Sequence, residues 1–295
     1  MKIAAAQYPI GFFKTWNDWK KNVETWVEKS EDADILIFPE YGSMEIASLF
    51  SVQIQKDLVG QIVKMNELLP EFLAHFCKIA NEFDKIILCP SFPVQENGGF
   101  VNRVFVVGPN GLAGYQDKFF MTRFEDEEWG ISSGQKKLSV FETNWGKFGI
   151  QACYDVEFGI GSKLLCEAGV EVIFAPSCTE TLKGAARVHV GARARAMENQ
   201  CYVAVSQTVG DALWSPAVDI NYGYSAIYST PDLGFPDDGI IKTGIPQDEM
   251  WLSADLEMNK IHEVRKNGSV HNFKSNFEIK SSLIDSEIEI QHIRI

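Results

Sequence analysis

Residues 147–155 read KFGIQACYD, an apolar stretch that ends in a cysteine and precedes a helical pattern at 160–168. The alternation continues downstream, where apolar runs at 170–176 (VEVIFAP) and 202–209 (YVAVSQTV) flank a predicted helix at 185–199. Short continuous apolar runs are typical of strands that are buried on both faces. Strands that alternate with helices in this way predict an α/β fold.

The N-terminal half shows the same alternation. Its predicted elements are strands at 2–8, 33–39, 85–92, 100–108 and 112–116 and helices at 16–30 and 60–83. Pro70 is expected to interrupt the second helix, because proline cannot donate the helical hydrogen bond. The last two strands are joined by Pro109-Asn110-Gly111, residue types that favour a tight turn.

The last third of the chain has a different composition. Residues 210–247 are rich in Gly, Pro, Asp and Ser and predict loops with short strands, followed by a strand at 250–256 and a polar tail from 257. No fixed-period repeat, low-complexity tract or linker marks a domain boundary. The whole chain, 1–295, is therefore predicted to form one domain.

Length and charge exclude several classes of function. The 295 residues carry 27 Lys and Arg against 40 Asp and Glu, a net charge of −13. Neither nucleic acid nor anionic lipid is an expected partner, because binding to either requires a basic face. No apolar run approaches the ~18 residues of a membrane span, and the N-terminal MKIAAAQYPIGFF is interpreted as an opening strand rather than a signal peptide.

The six cysteines are too sparse for a disulfide scaffold and contain no C-x-x-C pair. We therefore expect reduced thiols and a cytoplasmic location. The absence of such a pair and the scattered histidines also argue against a zinc site. Cys77, Cys89, Cys166 and Cys201 are predicted to be structural, whereas Cys178 follows a strand and could line a pocket.

Three chemically reactive side chains each follow an apolar strand. Glu40 ends the run ILIFPE, where poor solvation raises the pKa of a carboxylate and suits it to act as a base. For this segment taken alone, a helix N-cap or an acid in a surface loop is the more common case. Lys118 follows the hairpin at 100–116 and could stabilise an oxyanion, although a solvated surface lysine is the more common case.

Cys153 is the third of these residues and lies between a predicted strand and a predicted helix. That is the position of a nucleophile elbow, where helix-terminal and backbone amides lower the thiol pKa. The amide of Tyr154 can then face a developing oxyanion. A buried, inert cysteine is the alternative for this residue taken alone.

Glu, Lys and Cys in this chain order resemble the nitrilase, or carbon–nitrogen hydrolase, superfamily. The matching segments are FPEYGS (38–43), YQDKFF (115–120), CYDVEFG (153–159) and RARAMENQCYV (193–203). TRFEDEEWGISSG (122–134), SCTET (177–181) and WSPAVDINYG (214–223) resemble a poorly characterised bacterial amidase-like branch. Some members of that branch are fused to a ribosomal-type N-acetyltransferase domain, for which this chain is expected to have no room.

The resemblance implies a four-layer αββα sandwich of the nitrilase type and a role for each matching residue. Glu40 would be the general base and Cys153 the nucleophile. Lys118 and the backbone N–H of Tyr154 would stabilise the oxyanion. The resemblance implies neither a metal nor an organic cofactor.

Other positions of the match are less regular. Glu125 is the best candidate for a further, supporting glutamate, with Glu127 and Glu128 as alternatives. The family usually has Pro-Glu after the CYD segment, whereas this chain has Phe158-Gly159-Ile160, so we expect a looser helical turn there. Arg195 and Glu198, three residues apart on a predicted helix, are expected to form an internal pair.

The sequence therefore supports the hypothesis of a hydrolase that cleaves the non-peptide C–N bond of a small-molecule amide through a thioester on Cys153. Nitrile hydrolysis and acyl transfer to an amine by the same three residues are alternatives. A catalytically idle binding or assembly protein is another, which the intact Glu-Lys-Cys set disfavours. A papain-like pair with His189 is disfavoured because no Asn-bearing partner motif accompanies it.

Substrate choice in such a fold depends on loops. Candidate wall positions are Tyr41, Phe124, Trp129, Cys178, Thr179, Trp214 and Pro216, although each could instead be an ordinary packing residue. They predict a compact, largely apolar pocket. The acidic surface disfavours large anionic substrates unless Arg123 and Arg187 create a local basic pocket. We expect a homodimer or higher homo-oligomer, with contacts through the helix at 185–199 and the tail from about 257.

Overall fold

The computed structural model describes residues 1–284 and residue 291, with side chains described up to residue 278 and at 291. Within those residues, no helix is long and apolar enough to cross a membrane.

The described residues form strands and helices over most of their length. The strands are β1 (Lys2–Pro9), β2 (Ile35–Ile37), β3 (Ile86–Leu88), β4 (Phe92–Glu96), β5 (Gly99–Gly108), β6 (Gly111–Asp117), β7 (Ile131–Ser132), β8 (Phe141–Thr143), β9 (Gly146–Ile150), β10 (Val172–Ser177), β11 (Tyr202–Asp211), β12 (Ile220–Asn221), β13 (Ala226–Tyr228), β14 (Ile240–Thr243) and β15 (Met250–Asp255). The α-helices are α1 (Trp16–Glu28), α2 (Val52–Gln55), α3 (Leu58–Met65), α4 (Leu69–Glu82), α5 (Gly159–Glu167), α6 (Leu182–Asn199), α7 (Met258–Asn267) and α8 (Asn272–Ile284). Tighter or wider helical turns lie at Gly42–Leu49, Asn66–Leu68, Glu125–Trp129 and Cys153–Glu157.

A curled, mixed sheet forms the centre of the molecule. Its main path runs β4-β5-β3-β2-β1-β11-β10-β9-β8, and β15 pairs antiparallel with β1. Two sets of parallel strands, β1-β2-β3 and β9-β10-β11, meet where the ends of β1 and β11 pair in parallel. The carboxyl ends of both sets of strands therefore lie at the same edge of the sheet, which is where parallel sheets usually present their functional residues.

Alternating side chains divide the interior into three cores. Ile3 of β1 and Phe174 of β10 both lie in an inner core, so the two halves of the sheet pack face to face. The next residue in β1, Ala4, faces an outer core that includes α1 and α4. Ile173 of β10 faces the opposite outer core, which includes α5 and α6. The layers are thus helix, sheet, sheet and helix, which confirms the predicted α/β sandwich.

Most predicted elements are present, with shifted boundaries. The expected long helix at 60–83 is two helices, α3 and α4, and Pro70 lies in the first turn of α4 rather than at the break itself. The strand expected at 147–153 ends at Ile150, before the cysteine. The tail expected to be merely polar forms α7, which buries Ile261 and Val264, and α8.

A buried carboxyl group, Glu45, holds the segment after β2 against β1 and α1. Its Oε1 atom accepts hydrogen bonds from the Tyr8 hydroxyl at 2.8 Å and from Trp19 Nε1 at 2.7 Å, and its Oε2 atom accepts from the backbone N–H of Gly11 at 3.2 Å. Burial raises the pKa of Glu45 to about 8. The folded protein therefore binds this proton more tightly than the unfolded chain does.

This raised pKa predicts a specific pH dependence of stability. Because the folded-state pKa of Glu45 lies above its ordinary value of 4.5, its contribution is complete at low pH and is lost as the pH rises toward 8. Glu45→Gln should remove that loss, so the variant should gain about 3 kcal/mol relative to wild type between pH 5 and pH 8. Chemical denaturation at both pH values measures the difference. Glu71→Gln, at an exposed helical position, should differ from wild type by the same free energy of unfolding at pH 5 and at pH 8. If Glu45→Gln also shows equal differences at the two pH values, the prediction is contradicted.

Candidate active site

Cys153 lies at a strained turn between β9 and α5. It begins the helical turn Cys153–Glu157 with a φ angle of 46°, in the left-handed region. Such a conformation costs free energy for a residue with a side chain, and it concentrates at functional sites. The Sγ atom lies 3.6 Å from the carbonyl oxygen of Cys178. The backbone therefore has the sharp strand-to-helix geometry predicted for this cysteine.

Glu40 follows β2 and is almost fully buried. Its Oε1 atom accepts hydrogen bonds from Lys118 Nζ at 2.8 Å and from Asn102 Nδ2 at 2.9 Å. Its Oε2 atom accepts from the backbone N–H of Cys178 at 3.0 Å. The Cys153 thiol is a further hydrogen-bonding neighbour of this carboxylate. The structure thus brings together Glu40, Lys118 and Cys153 from three separate parts of the chain.

Lys118 follows β6 and lies between two carboxylates. Its Nζ atom also donates to Glu125 Oε2 at 2.6 Å. Glu125 is buried at the start of the π-helical turn Glu125–Trp129, whereas Glu127 and Glu128 are exposed. Glu125 is therefore the glutamate that completes the site. Glu127 instead forms an exposed ion pair with Arg123.

Asn102 and Thr122 belong to this site although the sequence analysis does not single them out. Asn102 Nδ2 also lies 3.3 Å from Glu125 Oε1, so one amide contacts both glutamates. Thr122 donates to Glu125 Oε2 from its backbone N–H at 2.9 Å and from its hydroxyl at 2.8 Å. The signal for Asn102 is that it is, with Arg103, one of two polar residues in the mostly apolar strand β5. Thr122 offers no comparable signal.

The three ionisable partners of the site respond differently to their shared burial. Burial raises the pKa of Glu40, and the charge of Lys118 only partly opposes this. Burial alone would lower the pKa of Lys118, but Glu125 and Glu40 raise it well above its ordinary value. Burial alone would raise the pKa of Glu125, as it does for Glu40, but the positive charge and hydrogen bond of Lys118 have the larger effect and lower it. Lys118 is therefore an ammonium ion, Glu125 is a carboxylate, and Glu40 is the better proton acceptor.

The expected lowering of the Cys153 pKa is wrong. Burial, followed by the charge of Glu40, raises the pKa of this thiol well above its ordinary value. The Cys153 side chain is consequently a neutral thiol. Glu40 is the adjacent group that can accept its proton.

Asp155 connects the cysteine turn to the segment that follows Lys118. Its carboxylate accepts the backbone N–H of Phe119 at 3.1 Å and that of Phe120 at 2.8 Å, and the residue is 2% exposed. Burial raises the pKa of Asp155 to about 7. Asp155, two residues after Cys153, therefore fixes the backbone directly after Lys118.

The turn expected to be looser, at Phe158-Gly159-Ile160, is held by side-chain contacts. The ring of Phe158 lies 4.2 Å from that of Phe120 and 4.9 Å from that of Tyr154, measured between centroids. Arg195 Nη1 donates to the carbonyl oxygens of Val156 and Glu157 at 3.3 and 3.1 Å. Packing and hydrogen bonding take the place that proline has in the family pattern.

A cavity of about 240 Å³ opens beside Cys153. The expected wall residues Tyr41, Phe124, Trp129, Cys178 and Thr179 line it, together with Tyr154. Additional lining residues, which the sequence does not indicate as a set, are Thr122, Glu157, Glu180, Thr181, Gly184, Arg187, Val188, Ala217, Val218 and Ile220.

Trp214 and Pro216 do not line this cavity, contrary to expectation. The Trp214 ring instead packs edge-on against Phe12, with centroids 5.5 Å apart. The neighbouring Ser215 hydroxyl donates to Gln61 Oε1 at 2.7 Å, which fixes the loop in this position. The cavity wall is supplied a little further along the same loop, by residues 217, 218 and 220.

The remaining expectations concern side chains outside the cavity centre. Arg195 pairs with Glu198 at 2.9 Å, as predicted. All six cysteines lie in the described part of the chain as free thiols. Cys89, Cys166 and Cys201 are buried and Cys77 is half-buried, which agrees with structural roles.

Known sequences are similar to this chain over most of its length. A family model described as carbon–nitrogen hydrolase matches residues 2–266. A probable hydrolase, YhcX, of Bacillus subtilis is 31% identical over 276 residues, which cover 93% of this chain and 53% of that protein. The chain thus spans about half the length of that relative. Omega-amidase NIT2 of Xenopus tropicalis is 29% identical over 198 residues, which cover 64% of this chain and 67% of that protein.

Solved structures show the same fold. Nit3 of Saccharomyces cerevisiae, a member of branch 10 of the nitrilase superfamily, superposes with a TM-score of 0.73 at 23% identity, covering 90% of this chain and 93% of its own. A carbon–nitrogen hydrolase of Helicobacter pylori G27 superposes with a TM-score of 0.74 at 16% identity, covering 97% of both chains.

The role of Asp155 as a backbone acceptor is directly testable. Asp155→Ala leaves the N–H groups of Phe119 and Phe120 without their acceptor and should lower the free energy of unfolding by about 2–3 kcal/mol. Asp155→Asn keeps one acceptor oxygen and should lose less than half as much. Chemical denaturation at pH 7 compares the two variants. Equal stability of Asp155→Ala and wild type would show that these hydrogen bonds do not hold the segment.

Proposed function

The chain belongs to the carbon–nitrogen hydrolase family, and from this we propose that it hydrolyses the amide bond of a small molecule through a thioester on Cys153. One observation carries the proposal: Glu40, Lys118 and Glu125 form a buried, hydrogen-bonded set directly beside the Cys153 thiol. The neighbouring cavity of about 240 Å³ suits a compact substrate.

Acylation would begin with a neutral thiol. Glu40 accepts the proton of Cys153 as the sulfur attacks the amide carbon, so the C–S bond forms while the carbonyl oxygen gains the negative charge. Lys118 and the backbone N–H of Tyr154 stabilise that oxygen. Glu40 then gives its proton to the departing amine or ammonia, and the C–N bond breaks.

Deacylation would use the same base. Glu40 accepts a proton from a water molecule that attacks the thioester, and the collapse of the second tetrahedral intermediate breaks the C–S bond. The acid is released, and the proton returns to the Cys153 sulfur. The role of Glu125 is to keep Lys118 charged and oriented, which the 2.6 Å contact supports.

The assembly we propose is a homodimer or higher homo-oligomer that pairs through the outer face of α5 and α6. Leu182, Val190 and Met197 on α6 are exposed, as are Ile160 and Leu164 on α5. Several exposed apolar side chains on one helical layer are typical of a surface that is covered by a partner. The expected contribution of the tail falls partly outside the described residues; the described helix α8 packs on α6 of its own chain, where Asn272 Nδ2 donates to the Met197 carbonyl at 3.1 Å.

A cytoplasmic location fits the same proposal. The six free thiols include the nucleophile, and free thiols persist in a reducing compartment.

The catalytic proposal is tested by a screen of small primary amides with detection of ammonia. On the best substrate, Cys153→Ala should lower kcat/KM by about 10⁴-fold or more, and Cys153→Ser should be nearly as damaging because an alcohol is harder to ionise. Cys77→Ala, a half-buried thiol on α4, is the matched control and should retain activity. Full activity in Cys153→Ala would refute the mechanism.

The assembly proposal is tested by sedimentation velocity at micromolar concentration. Wild type should sediment as a dimer or larger, and Val190→Glu should shift it toward the monomer, because a buried unpaired charge opposes association. Leu233→Glu places the same charge at another exposed apolar position and should leave the assembly intact. A monomeric wild type would contradict the proposal.

A further inference from the structure

The substrate cavity contains one charged side chain that has no role in the mechanism and no cation beside it. Lys118 is shared between Glu40 and Glu125, and Arg187 lies near Glu157, with Nε and Oε1 3.3 Å apart. Among the charged residues that line the cavity, this leaves Glu180. Its carboxylate has no ion pair within the described part of the chain.

The acidic neighbours of Glu180 strengthen the negative potential at this end of the cavity. Glu180 is a largely exposed side chain, and its partial burial, followed by the charges of Asp219 and Glu128, raises its pKa. The two neighbouring carboxylates repel its negative charge, and a cation placed there would relieve that repulsion.

Aromatic rings form another wall of the same cavity. The Trp129 ring lies 4.8 Å from that of Tyr41 and 5.4 Å from that of Phe124, measured between centroids, and all three residues line the cavity. Aromatic faces attract cations, most strongly at sites shielded from water. The rings and the carboxylate thus favour the same kind of ligand independently.

The position of Glu180 relative to the nucleophile limits the length of that ligand. The carbonyl oxygen of Cys178 lies 3.6 Å from Cys153 Sγ, and Glu180 is two residues further along the chain. Two residues extend the backbone by roughly 7 Å at most. A charged group near Glu180 is therefore only a few bonds away from the carbon that the sulfur attacks.

We propose that the amide cleaved by this enzyme carries a positive charge at the end remote from the scissile bond, which Glu180 and the aromatic wall of Tyr41, Phe124 and Trp129 recognise. This substrate class rests on the proposed amide hydrolysis. An ω-amino amide of about four methylene groups has the required reach.

This preference is measured as the rate of ammonia release from three amides of matched length that differ in charge. They are 5-aminopentanamide (cationic), hexanamide (neutral) and the monoamide of glutaric acid (anionic). The expected kcat/KM for the amine is about tenfold above that for hexanamide and higher still above that for the acid. Glu180→Gln should lower kcat/KM for the amine several-fold more than it changes kcat/KM for hexanamide, so that most of the amine's advantage is lost. Glu249→Gln, an exposed position that does not line the cavity, makes the same change in net charge and should preserve the preference.

A second measurement requires no turnover. 2-(Trimethylammonium)ethyl methanethiosulfonate and 2-sulfonatoethyl methanethiosulfonate modify thiols by the same chemistry and differ in charge. With rates at Cys153 followed by peptide mass spectrometry and normalised to 2-mercaptoethanol, the cationic reagent should react about tenfold faster at low salt. That ratio should fall several-fold in Glu180→Gln and stay unchanged in Glu249→Gln, and added salt should reduce it.

The two measurements separate the two proposals. Hydrolysis of hexanamide with no preference for the amine, or a preference for the acid through Arg187, would overturn the cationic substrate and leave amide hydrolysis in place. A cationic preference at Cys153 that depends on Glu180, with no amide cleaved, would support the cation site and count against the proposed hydrolysis. Reagent rates that are equal in wild type and Glu180→Gln would overturn the role of Glu180.

Discussion

The placement of Lys118 between Glu40 and Glu125 is the constraint on which the rest of this site depends. Three charges are removed from water here, and such burial costs several kcal/mol per ion unless each is paired and hydrogen-bonded. Here the Lys118 ammonium lies 2.8 Å from Glu40 Oε1 and 2.6 Å from Glu125 Oε2. Asn102 and the backbone N–H of Cys178 also donate hydrogen bonds to Glu40, and Thr122 donates to Glu125, which offsets the cost of burial. Removing any one partner would leave a buried charge uncompensated, so the set acts as a unit.

The same burial decides how the cysteine works. A thiol beside a buried carboxylate is held neutral. The left-handed backbone at Cys153 places this residue at the edge of the core that includes α5 and α6, where it lines the cavity. In the proposed mechanism, attack by the sulfur and proton transfer to Glu40 therefore occur together, while Lys118 stays charged and available to the developing oxyanion. Asp155 maintains this geometry by fixing the backbone that follows the lysine.

Local pattern predicted the alternation of strands and helices and placed Glu40, Lys118 and Cys153 each after an apolar run. The sandwich and the roles of these three residues were implied by the resemblance to the carbon–nitrogen hydrolase superfamily, because no single segment indicates them. The sequence did not predict Thr122 or the wall residues 217, 218 and 220, since their positions depend on contacts between distant segments. Trp214 illustrates this, because a hydrogen bond between Ser215 and Gln61, 154 residues apart, turns its loop away from the cavity. The Cys153 pKa had the wrong expected direction because burial, known only from the fold, outweighs the local helix terminus.

The most direct test of the proposed thioester is the intact mass of the protein, quenched with acid during turnover of the best amide found in the screen. An added mass equal to the acyl group is expected, located on Cys153 by peptide analysis, sensitive to hydroxylamine as a thioester is, and missing from Cys153→Ala. Product formation under single-turnover conditions with no adduct at any quench time, or an adduct on Cys178 instead, would contradict the assignment of Cys153 as the nucleophile.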